Sequence, residues 1–221
     1  VLASIEEQGK LTEELRDRIL EAQTQVAVDD LYRPYRPKRR TRAMIAKEKG
    51  LEPLANLIWL QQIKEPAEEL ARAYVSEEKQ VPSAEEAVAG ARDILAERIS
   101  DQADYRSYIR KITMDRGMIA SSAKDGEAQS VYEMYYQYEE LIKRCAGHRV
   151  LALNRGEKEK VLTVKIQAPE EDIIRYLEKQ VITRNNPFTV PILQETIRDS
   201  YDRLIGCLLY TSPSPRDVEE S

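Results

Sequence analysis

Apolar residues recur three and four positions apart along most of the chain, the spacing that lines one side of an α-helix. Leu15, Ile19, Ala22 and Val26 follow Thr12, with Glu13 and Glu14 in the first turn, which predicts an amphipathic helix from Thr12 to about Tyr32. Pro34 and Pro37 stop it, and a short helix from Thr41 to Lys49 follows, closed by Gly50. Leu51, Leu54, Leu57, Ile58 and Trp59 make the next helix, and Leu70, Ala71 and Tyr74 make a short one after Pro66. Ser83 with Glu86 reads as a capping box that opens a longer helix on Val88, Ala91, Ile94, Leu95 and Ile99.

Tyr105, Tyr108, Ile109 and Ile112 mark a further helix ending at Gly117, and Ser121 to Gln129 is small, polar and turn-like. Ser130 is then placed to cap a helix on Val131, Met134, Tyr135, Tyr138, Leu141, Ile142 and Cys145, ended by Gly147. The pattern changes to a β-type run at Val161, Leu162, Val164 and Ile166, after the turn-prone Asn154, Arg155 and Gly156. Two last helices rest on Ile173, Ile174, Leu177 and Val181, and on Ile192, Leu193, Ile197, Tyr201 and Leu204 after Pro187 and Pro191. The expected fold is mostly α: an elongated array of about nine or ten helices with a helix-turn-helix-like unit and one small β-hairpin or strand pair. No segment repeats at a fixed period, which disfavours a solenoid.

Composition agrees with that class. The 221 residues are 42% hydrophobic and 33% charged, with eight glycines and one Phe, the usage of soluble helices rather than sandwiches or Gly-rich nucleotide loops. Cys145 and Cys207 supply neither a disulfide framework nor metal-ligand spacing, so a reducing, cytoplasmic setting is expected. No apolar run approaches the roughly 18 residues that a membrane span requires. Val1 opens directly on helix-like sequence, and the start of the protein is expected to lie upstream. Cys207 to Asp217 reads CLLYTSPSPRD, which resembles a translated sequencing adapter, so residues 206–221 are expected to be a non-native tail.

Charge is uneven. Arg33, Arg36, Lys38, Arg39, Arg40 and Arg42 place six cations and no acid in ten residues, so a net charge of −5 leaves −11 on the remainder. Such a stretch neutralises phosphates and gains affinity by releasing counterions, and Tyr32 and Tyr35 can stack on unpaired bases. Equally, the tyrosines can pack into a helix junction and the cations pair with Glu-rich helices. The helical pair expected at Tyr108 to Cys145 has the outline of a helix-turn-helix, but Glu133, Glu139 and Glu140 make its second helix a poor groove reader. His148, Arg149, Arg155, Lys158 and Lys160 flank what reads as a solvated loop, with Glu157 and Glu159 among them. His148 is the sole histidine and supports neither a catalytic triad nor a metal site. Without a P-loop, G-x-G-x-x-G, H-E-x-x-H or nucleophile elbow, no catalytic residue, metal or cofactor is expected, and the chain does not read as an enzyme.

Three blocks carry a resemblance to a known family. DLYRPYRPKRRTRAMIAKEKGLEPLANLI (Asp30 to Ile58) is very like a hallmark segment of the bacterial Tex proteins, and HRVLALNRGEKEKVL (His148 to Leu162) and DSYDRLI (Asp199 to Ile205) resemble later family blocks. The resemblance implies an N-terminal helical region with a helix-turn-helix unit. In the family this precedes an RNase H-like domain, helix-hairpin-helix elements and an S1 domain, the principal nucleic-acid binder. It further implies a role in transcription with RNA binding, and a sequence that stops before the RNase H-like domain. On this reading residues 1–105 form a Tex-like N-terminal helical region and 106–205 a helix-turn-helix-like and helical region with a β element near 160–166. The expected partners are RNA or DNA through the phosphate backbone, and RNA polymerase or other transcription factors, with no membrane. The alternative is a structural scaffold that docks on the transcription machinery.

Overall fold

The computed structural model describes residues 1–36, 40–124 and 130–205. Lys38, Arg39 and the adapter-like tail therefore lie outside the described residues. Among the described residues the chain is mostly α, with eleven α-helices and one three-stranded antiparallel sheet. It divides into two compact units, residues 1–107 with 174–205, and residues 108–173. The sequence reading divides the chain into consecutive parts at residue 105, whereas here the last helical segment belongs with the first.

In the first unit α1 (Leu2–Glu7), α2 (Glu13–Glu21) and α3 (Gln25–Tyr32) lead into α4 (Arg42–Glu48) and α5 (Glu52–Leu60). The helix expected from Thr12 to Tyr32 is two helices, because Thr24 acts as a second N-cap and accepts a hydrogen bond from Ala27 N–H at 3.2 Å. Thr12 and Thr41 cap α2 and α4 in the same way, through Leu15 N–H and Met44 N–H. Gly50, with φ +81°, closes α4 in the left-handed region where a side chain is strained. After α6 (Ala67–Ala71) comes the central α7 (Ala84–Ser100), whose first turn Ser83 caps through Glu86 N–H.

Helix α7 packs against α4, α5, α6 and α11 (Val190–Asp199). Leu51, Leu54, Ile58, Leu95, Ile99, Leu193 and Ile197 are fully or almost fully buried there. Small residues let the helices approach: a Cβ on Gly90 would lie 2.5 Å from Leu51 Cδ1. Gln61 ends α5 with φ 54° and is itself buried. Its amide donates to Val181 C=O at 2.8 Å and accepts from Thr183 and Arg184 N–H, each at 3.1 Å. That side chain therefore satisfies the backbone beyond the end of α10 (Glu170–Val181).

The second unit takes the C-terminal part of α8 (Ala103–Arg116), then β1 (Met118–Ala123), β2 (Gln137–Leu141), α9 (Gly147–Lys158) and β3 (Leu162–Gln167). The strand order is β2-β1-β3, with Ile119 opposite Glu140 on one side and Ile166 on the other. Ile119, Tyr132, Tyr135, Leu153 and Leu162 form its core.

Several expectations fail in this unit. The turn-like stretch from Ser121 begins inside β1, and the expected helix from Ser130 to Cys145 is a 3-10 turn (Glu133–Tyr135), β2 and a second 3-10 turn (Ile142–Arg144). Tyr108 to Cys145 is accordingly not a helix-turn-helix. The expected loop around Asn154 to Gly156 lies inside α9, and Gly147 opens that helix rather than closing the one before. Gly156 is there for space, since a Cβ would lie 2.6 Å from Leu162 Cδ1.

Candidate nucleic-acid interface

The basic stretch begins as the last turn of α3 becomes a 3-10 turn, Arg33–Tyr35, with Pro34 fixing its backbone. This turn aims Arg33 inward. Its Nε lies 3.4 Å from Asp101, and burial, together with the neighbouring Arg106 charge, holds the guanidinium below its ordinary range. Arg106 in turn donates to Asp30 at 2.7 Å, with side chains only 10% and 7% exposed. Breaking such a pair from one side strands a buried charge, so Asp30, Arg33, Asp101 and Arg106 form a structural root for the segment. The sequence marks Arg33 as a phosphate contact, but the fold uses it first as an anchor.

The tyrosines sit at the same junction. Tyr32 shares a 3.0 Å hydrogen bond between its hydroxyl and Ser4 Oγ, and Tyr35 presents its carbonyl to the Gln8 amide at 2.9 Å. Both rings are half-buried, which fits packing of α1 against the turn. Beyond them Arg36, Arg40 and Arg42 are exposed. Arg40 donates to Glu48 at 2.7 Å across α4, an exposed pair worth at most about 1 kcal/mol and open to exchange for a phosphate. Burial raises the Asp93 carboxyl above its ordinary range and the Arg203 hydrogen bond lowers that of Asp199, while the charge of Arg42, in the first turn of α4, favours the ionised form of both.

A second set of cations lies in the other unit. The 3-10 turn before α9 exposes Lys143 and Arg144, and Lys143 reaches Asp115 at 2.9 Å. Arg149 turns toward the sheet and donates to both Glu140 oxygens at 2.7 and 2.8 Å. Tyr138 O–H also donates to Glu140. Hydrogen bonds from Tyr138 and Arg149 hold the Glu140 carboxyl below its ordinary range. His148, Arg155 and Lys158 are exposed on α9. Among the described residues no group of three or more His, Cys, Asp or Glu side chains is placed to hold a metal ion. No helix among them is long and apolar enough to cross a membrane.

Comparison with known proteins fixes the family. The Tex central region-like family model matches residues 62–194. This chain belongs to that family. It is similar to YdcI of Bacillus subtilis (strain 168), 49% identical over 208 residues, covering 93% of this chain and 29% of that protein. Protein tex of Bordetella pertussis is 41% identical over 168 residues, 75% of this chain and 21% of the relative. The transcriptional accessory protein Tex of Neisseria gonorrhoeae is 36% identical over 205 residues, 90% and 26% respectively. The Tex-like chain thus spans less than a third of the length of these relatives. The family match begins after the basic stretch, but the alignment to YdcI covers 93% of the chain.

Proposed function

We propose that this Tex-like region contributes sequence-tolerant contact with nucleic acid in transcription, through the cations of the Arg36 to Arg42 segment acting on phosphates. The observation that carries the reading is the division of labour within the run: Arg33 is anchored on Asp101, whereas Arg36, Arg40 and Arg42 face solvent. Lys38 and Arg39 join the contact by sequence alone. A fixed root with a solvent-facing cationic edge lowers the ordering cost of binding. The name of the Neisseria gonorrhoeae relative, a transcriptional accessory protein, supports the transcription setting, which in turn suits a cytoplasmic protein. Tyr32 and Tyr35 act as packing groups at the root. The region works by binding and not by catalysis.

Replacing Arg36, Lys38, Arg39, Arg40 and Arg42 by Ala tests this directly in the full chain, with labelled single-stranded RNA and fluorescence anisotropy at low salt. Affinity is expected to fall at least about tenfold, and by a similar factor on unrelated sequences. Unchanged affinity in a folded variant refutes the assignment.

One observation favours a second reading, a scaffold that docks on RNA polymerase or another transcription factor. Arg33 and Arg40 pair with acids of their own fold, so part of the charge density is already spoken for. Capture of a protein partner that survives nuclease treatment and the five substitutions supports it.

A further inference from the structure

Helix α9 is an outer layer of its unit. Leu153 and Gly156 face the core, and Arg149 faces Glu140 on the sheet. The opposite side is a ridge of His148, Leu151, Arg155 and Lys158, all exposed, at spacings of three, four and three that stack them on one face. Leu151 is 56% exposed, an apolar side chain set among cations. Arg144 precedes the helix and Lys160 follows it, both exposed. Ala146 at the N-cap makes no side-chain cap, so no side chain at that position satisfies the first-turn N–H groups of α9. Glu157 lies off the ridge, about 100° round the helix from Lys158 by helical geometry. Glu159 is held by Arg155 at 3.0 Å and by a hydrogen bond from Tyr132, so the exposed Arg155 pair can exchange for a stronger anion while the carboxylate keeps Tyr132.

We propose that this face of α9 is a docking surface for double-stranded DNA, with the helix lying in the major groove. A helix with its side chains is about 10–12 Å across and the major groove of B-DNA about 12 Å wide, whereas the A-form RNA groove is too narrow to admit it. Arg155 and Lys158 have the donors that read guanine edges, and Leu151 offers the apolar contact that suits a thymine methyl. Arg144 and Lys160 contact the phosphates at either end. The helix-turn-helix outline in the sequence assigned this role to residues 131–145, which fold instead around a strand. α9 has the chemistry that the acidic stretch lacks.

This surface is distinct from the Arg36 to Arg42 segment, and the experiment separates the two. The full chain is titrated into labelled duplex DNA, duplex RNA and single-stranded RNA of matched length. Wild type is compared with the triple substitution Leu151→Ala, Arg155→Ala, Lys158→Ala and with the five-residue variant of the basic segment. The α9 variant should keep its fold, since all three side chains are exposed, and circular dichroism checks this. It is expected to lose about tenfold or more in affinity for duplex DNA while its single-stranded RNA binding stays within about twofold. The basic-segment variant is expected to weaken all three ligands. Three outcomes overturn the proposal: no duplex DNA binding by wild type at low salt, unchanged duplex binding in a folded α9 variant, or an equal loss on duplex RNA. The first also counts against the basic segment, whereas the other two leave it untouched.

Discussion

The two compact units are held together by different means. The first is aliphatic and helical: Leu51, Leu54, Ile58, Leu95 and Ile99 pack along α7, and the polar groups buried beside them bond backbone, as Gln61 does beyond α10 and Ser200 does at Ala96 C=O of α7. The second has a smaller core in which Tyr132 and Tyr135 join Ile119, Leu153 and Leu162, and beside it a half-buried carboxylate, Glu140, is bonded by Tyr138 and Arg149. An aliphatic core tolerates changes of pH and suffers from changes of volume. A core leaning on a charged pair is vulnerable to both.

The largest expected effect lies in the first unit. Leu95→Ala removes a fully buried side chain from the middle of α7 and is expected to cost about 2–5 kcal/mol, read as a fall in the urea midpoint of the Trp59 fluorescence transition. Gly156→Ala tests the second unit by the opposite change, adding a methyl 2.6 Å from Leu162 Cδ1. It is expected to cost about 1–3 kcal/mol, and amide exchange should quicken in β3 and α9 while α7 stays protected. Gln61→Leu fills the space but leaves Val181 C=O and the Thr183 and Arg184 N–H groups unpaired, for a loss of about 1–3 kcal/mol in the first unit.

Much of the first unit is legible in the sequence because each helix there obeys one period and carries its own punctuation, as at Thr41 with Gly50 and Ser83 with Glu86. The second unit hides its fold for a physical reason. β2 places Tyr138 and Glu140 on the inner face, so the strand alternation is broken by a carboxylate whose partner, Arg149, is on another element. With a polar residue at that position, the preceding Tyr135 and Tyr138 fit a helical stripe with Leu141 and Ile142 instead. Gly156 misleads similarly, since a residue kept small for Leu162 looks like a turn. At the interface, charge density identifies the basic segment, but only tertiary contact with Asp101 shows that Arg33 is its anchor.

Acid should separate the units further. Glu140 is depressed by its hydrogen bonds, so its contribution to stability is present above the unfolded carboxylate pKa of about 4.3 and is lost as pH falls through the lower folded value. In the first unit Asp199 is depressed by Arg203, but burial raises Asp93, and the two contributions oppose each other. Exchange protection of β1–β3 should therefore decline below about pH 4.3 before Trp59 fluorescence changes, and Glu140→Gln should reduce that acid-dependent step, with Asp115 and Glu159, likewise depressed by Lys143 and Arg155, supplying the remainder. Simultaneous loss of both signals breaks the contrast.

Whether the basic segment touches phosphate is decided by the salt dependence of single-stranded RNA binding by the full chain, with and without the cations of Arg36 to Arg42. If those side chains contact phosphates, the plot of log affinity against log salt is steep and flattens by up to about 3.5 when all five are replaced by Ala. An identical slope in wild type and variant contradicts the account and leaves the basic segment as a structural feature of a scaffold.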